Sequence, residues 1–203
     1  MEHDDWLEHA VRQTARAPVT IRRWFPMVAR KVGDDHVEAR IRLLAALPDR
    51  TEIPGLYRYG DVHERRAVVL SAGRLGVDDM LLDLARDALR SNDPRLVTAA
   101  ADPAVVAALP DDEVDQALMK VIFMGIPTAR VPALVARVTP LTSRRVAGFV
   151  LERVCAGREV AAEVWQVIDR YPPVAELEQI REQLHADDPE RRRAAAGALA
   201  RRG

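Results

Sequence analysis

Three Asp-Pro pairs, Asp93-Pro94, Asp102-Pro103 and Asp188-Pro189, each stand directly before residues that favour helix. An aspartate just outside a helix accepts hydrogen bonds from the orphan N–H groups of the first turn. Proline at the first helical position has no N–H to leave unsatisfied, and its φ is already set for helix. Each pair therefore marks a helix start. At Asp61 the proline is absent, but Glu64 lies three residues on, and the two can form a variant of the capping box. The helix begun by Asp188 is also charge-matched, with Asp187, Asp188 and Glu190 at its front and Arg201 and Arg202 at its rear.

Between these starts, apolar residues recur at helical spacing. Val37, Ile41 and Leu44 make one stripe, and Leu81, Leu84, Ala85 and Ala88 make another. Alternating β-branched runs bounded by hairpin turns are absent. The chain reads as all-α, with helices over 4–16, 18–32, 35–47, 62–74, 77–90, 94–101, 103–109, 111–124, 130–138, 142–156, 160–170, 174–185 and 189–201, the two spans between 94 and 109 being readable as one irregular element. Helices this short are marginal alone and take their stability from packing. Connections of two to five residues set consecutive helices side by side. The expected architecture is antiparallel helical pairs stacked as a HEAT-like α-solenoid, with an irregular helical bundle as the alternative. Asp61 and Asp93 are 32 residues apart, and Asp93 and Asp188 are 95 apart, close to three such steps, although the intermediate positions near Gly125 and Gly157 carry no Asp. One helical-repeat domain over residues 1–203 is expected.

Charge and composition narrow the function classes. Thirty basic residues against 31 acidic leave a net charge of −1, which argues against a dedicated nucleic-acid binder. The lone Cys155 cannot form an internal disulfide, and the opening MEHDDWLEH is acidic where a targeting peptide is basic, so a cytoplasmic protein is expected. The longest apolar stretches, such as VIFMGI and VPALVA, fall far short of the roughly 20 residues that span a bilayer. No membrane span is expected.

Several residues invite a chemical reading. Lys120 is the only charge in ALMKVIFM; burial would lower its pKa and make it a base, whereas the plainer alternative lays its stem over apolar neighbours or pairs it with an acid such as Asp61 or Asp93. The stretch GLYRYGDVHERR gathers Tyr57, Tyr59, Asp61, His63, Glu64, Arg65 and Arg66 in one loop and first turn, the densest set of polar ligand-holding groups in the chain. Its alternative is that the two rings fill gaps between helices while the charges cap or meet solvent. A di-iron site would need several His-Glu pairs from different helices, and His63-Glu64 is alone. His9, His36 and His185 are scattered, His3 groups with Asp5 and Glu8 only by chance, and neither metal nor cofactor is expected. Cys155 reads as a small buried hydrophobe. No Ser-His-Asp signature, phosphate-cradling glycine loop or dinucleotide fingerprint is present. In IRRWFPMVARK, Trp24 and Phe25 lie among Arg22, Arg23, Arg30 and Lys31, which fits an anionic partner, or more simply an amphipathic core helix kinked at Pro26.

Five segments, IRRWFPMVARKVG, GLYRYGDVHERRAVVLSAGRL, ALRSNDPRLVTAAA, DQALMKVIFMGIP and RRVAGFVLERVCAGREVAAEVW, together resemble the EboA family over residues 20 to 168. The resemblance implies a helical protein encoded beside a UbiA-type prenyltransferase, a sugar-phosphate-cyclase-like enzyme and a metal-dependent hydrolase. It implies a part in making or exporting secondary metabolites. It directs interest to Asp61, Asn92, Asp93, Arg95 and Lys120 and carries over no catalytic residue. The Ala and Arg usage suits a GC-rich bacterium. The expected function is an intracellular accessory or binding protein of such a pathway, holding a small-molecule intermediate or a partner enzyme on a helical surface. Trp24, Tyr57, Tyr59, Arg66, Asp93 and Lys120 are expected on its concave face or rim. The alternative is a small cofactor-independent enzyme that rearranges or cyclises a metabolite, with Lys120 as base or an Asp or Glu as acid.

Overall fold

In the computed structural model, which describes residues 2–202, all three Asp-Pro pairs open helices. Asp93, Asp102 and Asp188 each accept a 2.8 Å hydrogen bond from the backbone N–H two residues on. Asp61 accepts from the N–H groups of His63 and Glu64, and Glu64 Oε2 accepts from the Asp61 N–H at 2.9 Å, completing the capping box. A second box, Thr139 with Thr142, opens a later helix with a threonine where the usual pattern has Glu or Gln. The side chain of His3, and with it the grouping with Asp5 and Glu8, lies outside the described residues.

The chain divides into two compact units, Met1–Leu109 and Pro110–Gly203. The first contains α1 (Glu2–Arg16), α2 (Ile21–Val32), α3 (His36–Ala45), α4 (Ile53–Tyr59), α5 (Val62–Leu70), α6 (Ala72–Leu75), α7 (Asp79–Arg90), α8 (Pro94–Ala100) and α9 (Pro103–Ala108). The second contains α10 (Asp111–Phe123), α11 (Pro132–Ala136), α12 (Pro140–Cys155), α13 (Val164–Ile168), α14 (Val174–Glu182) and α15 (Pro189–Ala200). Among the described residues there is no strand, and no helix is long and apolar enough to cross a membrane.

In the first unit α2 packs on α3, α4 on α5 and α7 on α8, while α3 meets α5, α5 meets α8 and α4 meets α7. Each pair thus buries its apolar face against the next, with Phe25, Leu43, Val68 and Leu81 in the shared core. The second unit gathers around α12, which touches α10, α13, α14 and α15, with Leu118, Val146, Val150 and Ile168 buried at its centre. Polar fastenings in both units link residues about one pair apart: Tyr57 to Asp87, Arg22 to Glu52 and Arg145 to Asp115 at 30 residues, Arg144 to Glu176 at 32, and Trp165 Nε1 to the Ala198 carbonyl at 33.

The step of 32 residues also appears where no Asp stands. Gly125 and Gly157 end α10 and α12 with φ of 65° and 67°. The N–H of each bonds the carbonyl three residues back, and the following N–H bonds the carbonyl five back, as a Schellman motif requires. The 32-residue spacing thus coincides with helix starts at Asp61 and Asp93 and with helix ends at Gly125 and Gly157.

Several expected boundaries change. Residues 53–59, expected to be loop, form α4, because Ile53, Leu56 and Tyr57 share a buried face; Pro54 and Gly55 look like turn punctuation, yet the proline sits in the first turn, where it is tolerated. The span 62–74 divides at Ser71, whose buried hydroxyl donates to the Val68 carbonyl at 2.6 Å. The span 160–170 keeps only α13 as α-helix. Arg201 and Arg202 follow the last residue of α15 and dock elsewhere, on the Val160 carbonyl at 2.8 Å and the Asp169 carboxylate at 2.7 Å. Cys155 is half-buried rather than buried, because it lies at the end of α12, where its carbonyl accepts from Arg191 Nε at 2.9 Å.

The turn geometry predicts opposite effects at two glycines. A Cβ at Gly157 would combine a φ of 67° with a 3.0 Å approach to Glu190 Cβ, so Gly157→Ala should destabilise by about 1–2 kcal/mol. Gly148 lies inside α12, where an added Cβ meets nothing within 4 Å, so Gly148→Ala should stabilise by about 0.5–1 kcal/mol. Urea denaturation of the two variants checks both signs.

Candidate functional site

Among the described residues, the largest fully buried side chain is charged. Arg40, 1% exposed, projects from the middle of α3, a helix that also buries Ala39, Ile41, Leu43 and Leu44 and so leaves it no route to water. Its Nε donates to the Phe25 carbonyl on α2 at 3.3 Å, its Nη2 lies 3.8 Å from Glu64 Oε1 on α5, and its guanidinium sits 5.5 Å from the Phe25 ring centroid. Its Nη1 lies 3.0 Å from His36 Nδ1, a bond that requires a neutral imidazole with its proton on Nε2. Burial pulls the Arg40 pKa down while Glu64 and Asp61 oppose it, and a guanidinium, among the strongest bases in proteins, stays charged. The same setting lowers the pKa of His36, through burial first, then Arg40, His63 and Arg66. The His36 and His63 rings meet edge to face at 5.5 Å.

Glu64, 8% exposed, carries this network to the wall of a cavity of about 320 Å³. The α2 wall contributes Arg22, Phe25 and Pro26, and the opposite wall runs from Glu52 through Gly55 to Tyr59. Arg22 and Glu52 close one side as a bidentate pair at 2.6 and 3.1 Å, which raises the Arg22 pKa. Tyr59 stands 83% exposed, with the Arg58 guanidinium 5.7 Å from its ring centroid. Two glycines shape the space. At Gly60 a Cβ would lie 2.4 Å from the Leu56 carbonyl oxygen and 2.9 Å from Glu64 Cβ, so glycine is what lets α4 turn so tightly into α5. At Gly55, an exposed residue of the cavity wall, a Cβ meets nothing within 4 Å. Two carboxylates, a guanidinium and aromatic and aliphatic faces can hold a small molecule by hydrogen bonds at one end and apolar contact at the other.

The six residues expected at one site are distributed. Tyr59 lines the cavity. Tyr57, two residues earlier, is buried and donates its hydroxyl to Asp87 Oδ2 on α7 at 2.8 Å; burial, then Asp87, pushes its phenol pKa well up, and Arg65 lies 5.7 Å from its ring centroid. Asp93 caps α8 and holds Arg95 through bonds of 3.0 and 2.7 Å, and that pairing leads the lowering of its pKa. Trp24 is outside the cavity wall, in a ring cluster with Trp6 at 5.9 Å and His9 at 5.7 Å, under the Arg23 guanidinium at 4.9 Å. Arg66 is half-buried on α5, and its charge acts on His36. Lys120 is half-buried on α10, in the second unit, whereas the other five belong to the first.

The sequence alone does not point to Arg40 or Glu52; it offers Arg22 only within the IRRWFPMVARK stretch, and Glu64 both as a cap and among the polar groups of GLYRYGDVHERR. The available signal was the spacing: Arg22 and Glu52 are opposite charges 30 residues apart, one helical pair on. Among the described residues no group of three or more His, Cys, Asp or Glu side chains is placed to hold a metal ion.

The fold and cavity describe an all-helical protein that offers a pocket between consecutive helical pairs. Residues 2–169 match the family described as "Metabolite traffic protein EboA", and the chain belongs to that family. The match takes in the whole pocket and ends before α14 and α15. No curated protein and no solved structure matches the chain.

Two outcomes follow from the buried network. Arg40→Met strands the Glu64 carboxylate in a buried site and should cost about 3–5 kcal/mol in urea denaturation, with a substantial part recovered in Arg40→Met/Glu64→Gln. A His36 pKa below its ordinary 6.5 means that its stabilising contribution is complete above pH 6.5 and is lost as pH falls through the lower, folded value. The thermal midpoint should therefore begin to drop below pH 6.5, and His36→Gln should remove that slope. The loss set by Asp78 and Asp93, whose pKa values are held below 3.8, should persist in the variant at lower pH.

Proposed function

We propose that the chain is an intracellular accessory protein of a bacterial secondary-metabolite pathway that holds a small intermediate in the cavity between α2 and α4–α5 for delivery to a partner enzyme. The observation that carries this reading is the cavity itself, about 320 Å³ and within the usual range of small-molecule sites, walled by a buried carboxylate that Arg40 braces without entering the wall. Membership of a metabolite traffic family supports binding and transfer as the activity. The ligand this lining suits has hydroxyl or amino groups for Glu52 and Glu64 and an apolar portion for Phe25 and Leu56. Of the six residues expected at the site, we assign ligand contact to Tyr59 and framework roles to Tyr57 and Asp93. The pairing of α2 with α3, α4 with α5 and α7 with α8 supports reading the first unit as HEAT-like repeats.

Gly55 supplies the test, because it lines the cavity and a Cβ there meets no atom within 4 Å, so a large ring can be added at the wall without a clash at Cβ. The wild-type chain purified from its native host, denatured and analysed by mass spectrometry, should release a small molecule. Gly55→Phe should retain at least about tenfold less with an unchanged thermal midpoint, and Glu52→Gln should weaken retention about five- to tenfold. Equal retention by wild type and Gly55→Phe would show that the cavity is not the site.

A further inference from the structure

The second unit has an exposed aromatic ring that its own packing does not explain. Phe123, the last residue of α10, is 61% exposed beside the reversal at Gly125. Its ring meets Phe149 of α12 edge to face at 4.9 Å, and the guanidinium of Arg153, one turn further along α12, lies 5.8 Å from the Phe149 centroid. These residues edge a cavity of about 540 Å³ whose floor includes the buried side chains of Ile122, Val160 and Val164.

Two arginines stand at this cavity, and both are fixed by the loop that walls it. Arg153 Nε donates to the Glu159 carbonyl at 2.7 Å, and Arg201 Nη1 donates to the Val160 carbonyl at 2.8 Å. Arg201 Nη2 also lies 3.5 Å from Glu159 Oε2, a carboxylate whose side chain is 87% exposed and therefore well screened by water. A guanidinium has five N–H donors, so these bonds orient each head and leave donors for an anion. Two cations face one solvated carboxylate, and the charge balance at the cavity is positive.

We infer that this cavity is a second binding site, for an amphiphilic anion: a small molecule with a flat apolar body that lies against Phe123 and Phe149 and an acidic group that reaches Arg153 and Arg201. The site is independent of the pocket in the first unit and shares no residue with it. It depends on the end of the chain, because Arg201 lies beyond residue 169, where the family match stops. Aromatic faces favour a planar body, and the forked donors of arginine favour carboxylate, sulfonate or phosphate over a neutral head.

Two fluorescent probes with the same aryl skeleton test it on the full chain: 8-anilinonaphthalene-1-sulfonate, which carries an anion, and N-phenyl-1-naphthylamine, which does not. The sulfonate should bind saturably. Arg153→Gln and Arg201→Gln should each weaken it at least about fivefold while moving the neutral probe by less than about twofold. Arg153→Lys and Arg201→Lys should keep most of the sulfonate affinity, Phe123→Ala should weaken both probes about fivefold or more, and Gly55→Phe should change neither. Sulfonate affinity unchanged in both Gln variants, or unchanged in Phe123→Ala, would overturn the site. So would equal loss of both probes in the Gln variants, which would mean that the arginines only hold the loop. Because Gly55→Phe alters only the first cavity, failure here is distinguishable from failure of the delivery role.

Discussion

A guanidinium that cannot reach water must be satisfied where it lies, and that requirement at Arg40 organises the first unit. The neighbours that α3 buries around it leave no polar exit, and an uncompensated buried charge costs several kcal/mol. The fold answers with a carbonyl from α2, a carboxylate from α5 and an imidazole from α3 itself. Three helices from two successive pairs are thereby tied to one point. Glu64 is shared among these tasks: it caps α5 through the Asp61 N–H, receives Arg40, and forms part of the cavity wall. Structural and wall-forming positions meet in one carboxylate, held by its neighbours and largely out of water.

What could be read from the sequence was what local chemistry decides. Asp93, Asp102, Asp188 and the Asp61–Glu64 box announce their helices because capping involves residues two or three apart. The all-helical class followed from apolar periodicity. The α4 helix did not, because seven residues containing Pro54 and Gly55 have little helical preference of their own and are held by burying Ile53, Leu56 and Tyr57. The cavity was legible in part, at Tyr59 and Glu64 of the polar stretch and at Arg22 and Phe25 of the α2 sequence, but not as one site. Arg22 and Glu52, and likewise Tyr57 and Asp87, become neighbours only when one helical pair is laid on the next, and nothing in either local segment names its partner. The Tyr57 ring and hydroxyl suit a ligand site, but that hydroxyl fastens α4 to α7.

Family membership and geometry answer different halves of the functional question. The EboA family supplies the theme of metabolite traffic, and the first cavity supplies a place with paired carboxylates and an apolar wall. The second cavity has the opposite charge balance, with two arginines to one glutamate where the first has one arginine to two glutamates, and two phenylalanines at its edge. With both proposed sites, the chain would hold molecules of different polarity.

The most direct measurement of Arg40 as the shared anchor is hydrogen–deuterium exchange of the wild type against Arg40→Met under native conditions. The account predicts that amides of α2, α3 and α5 lose protection together, because all three helices lean on the same guanidinium. Loss of protection confined to α3, with α2 and α5 unchanged, would contradict it.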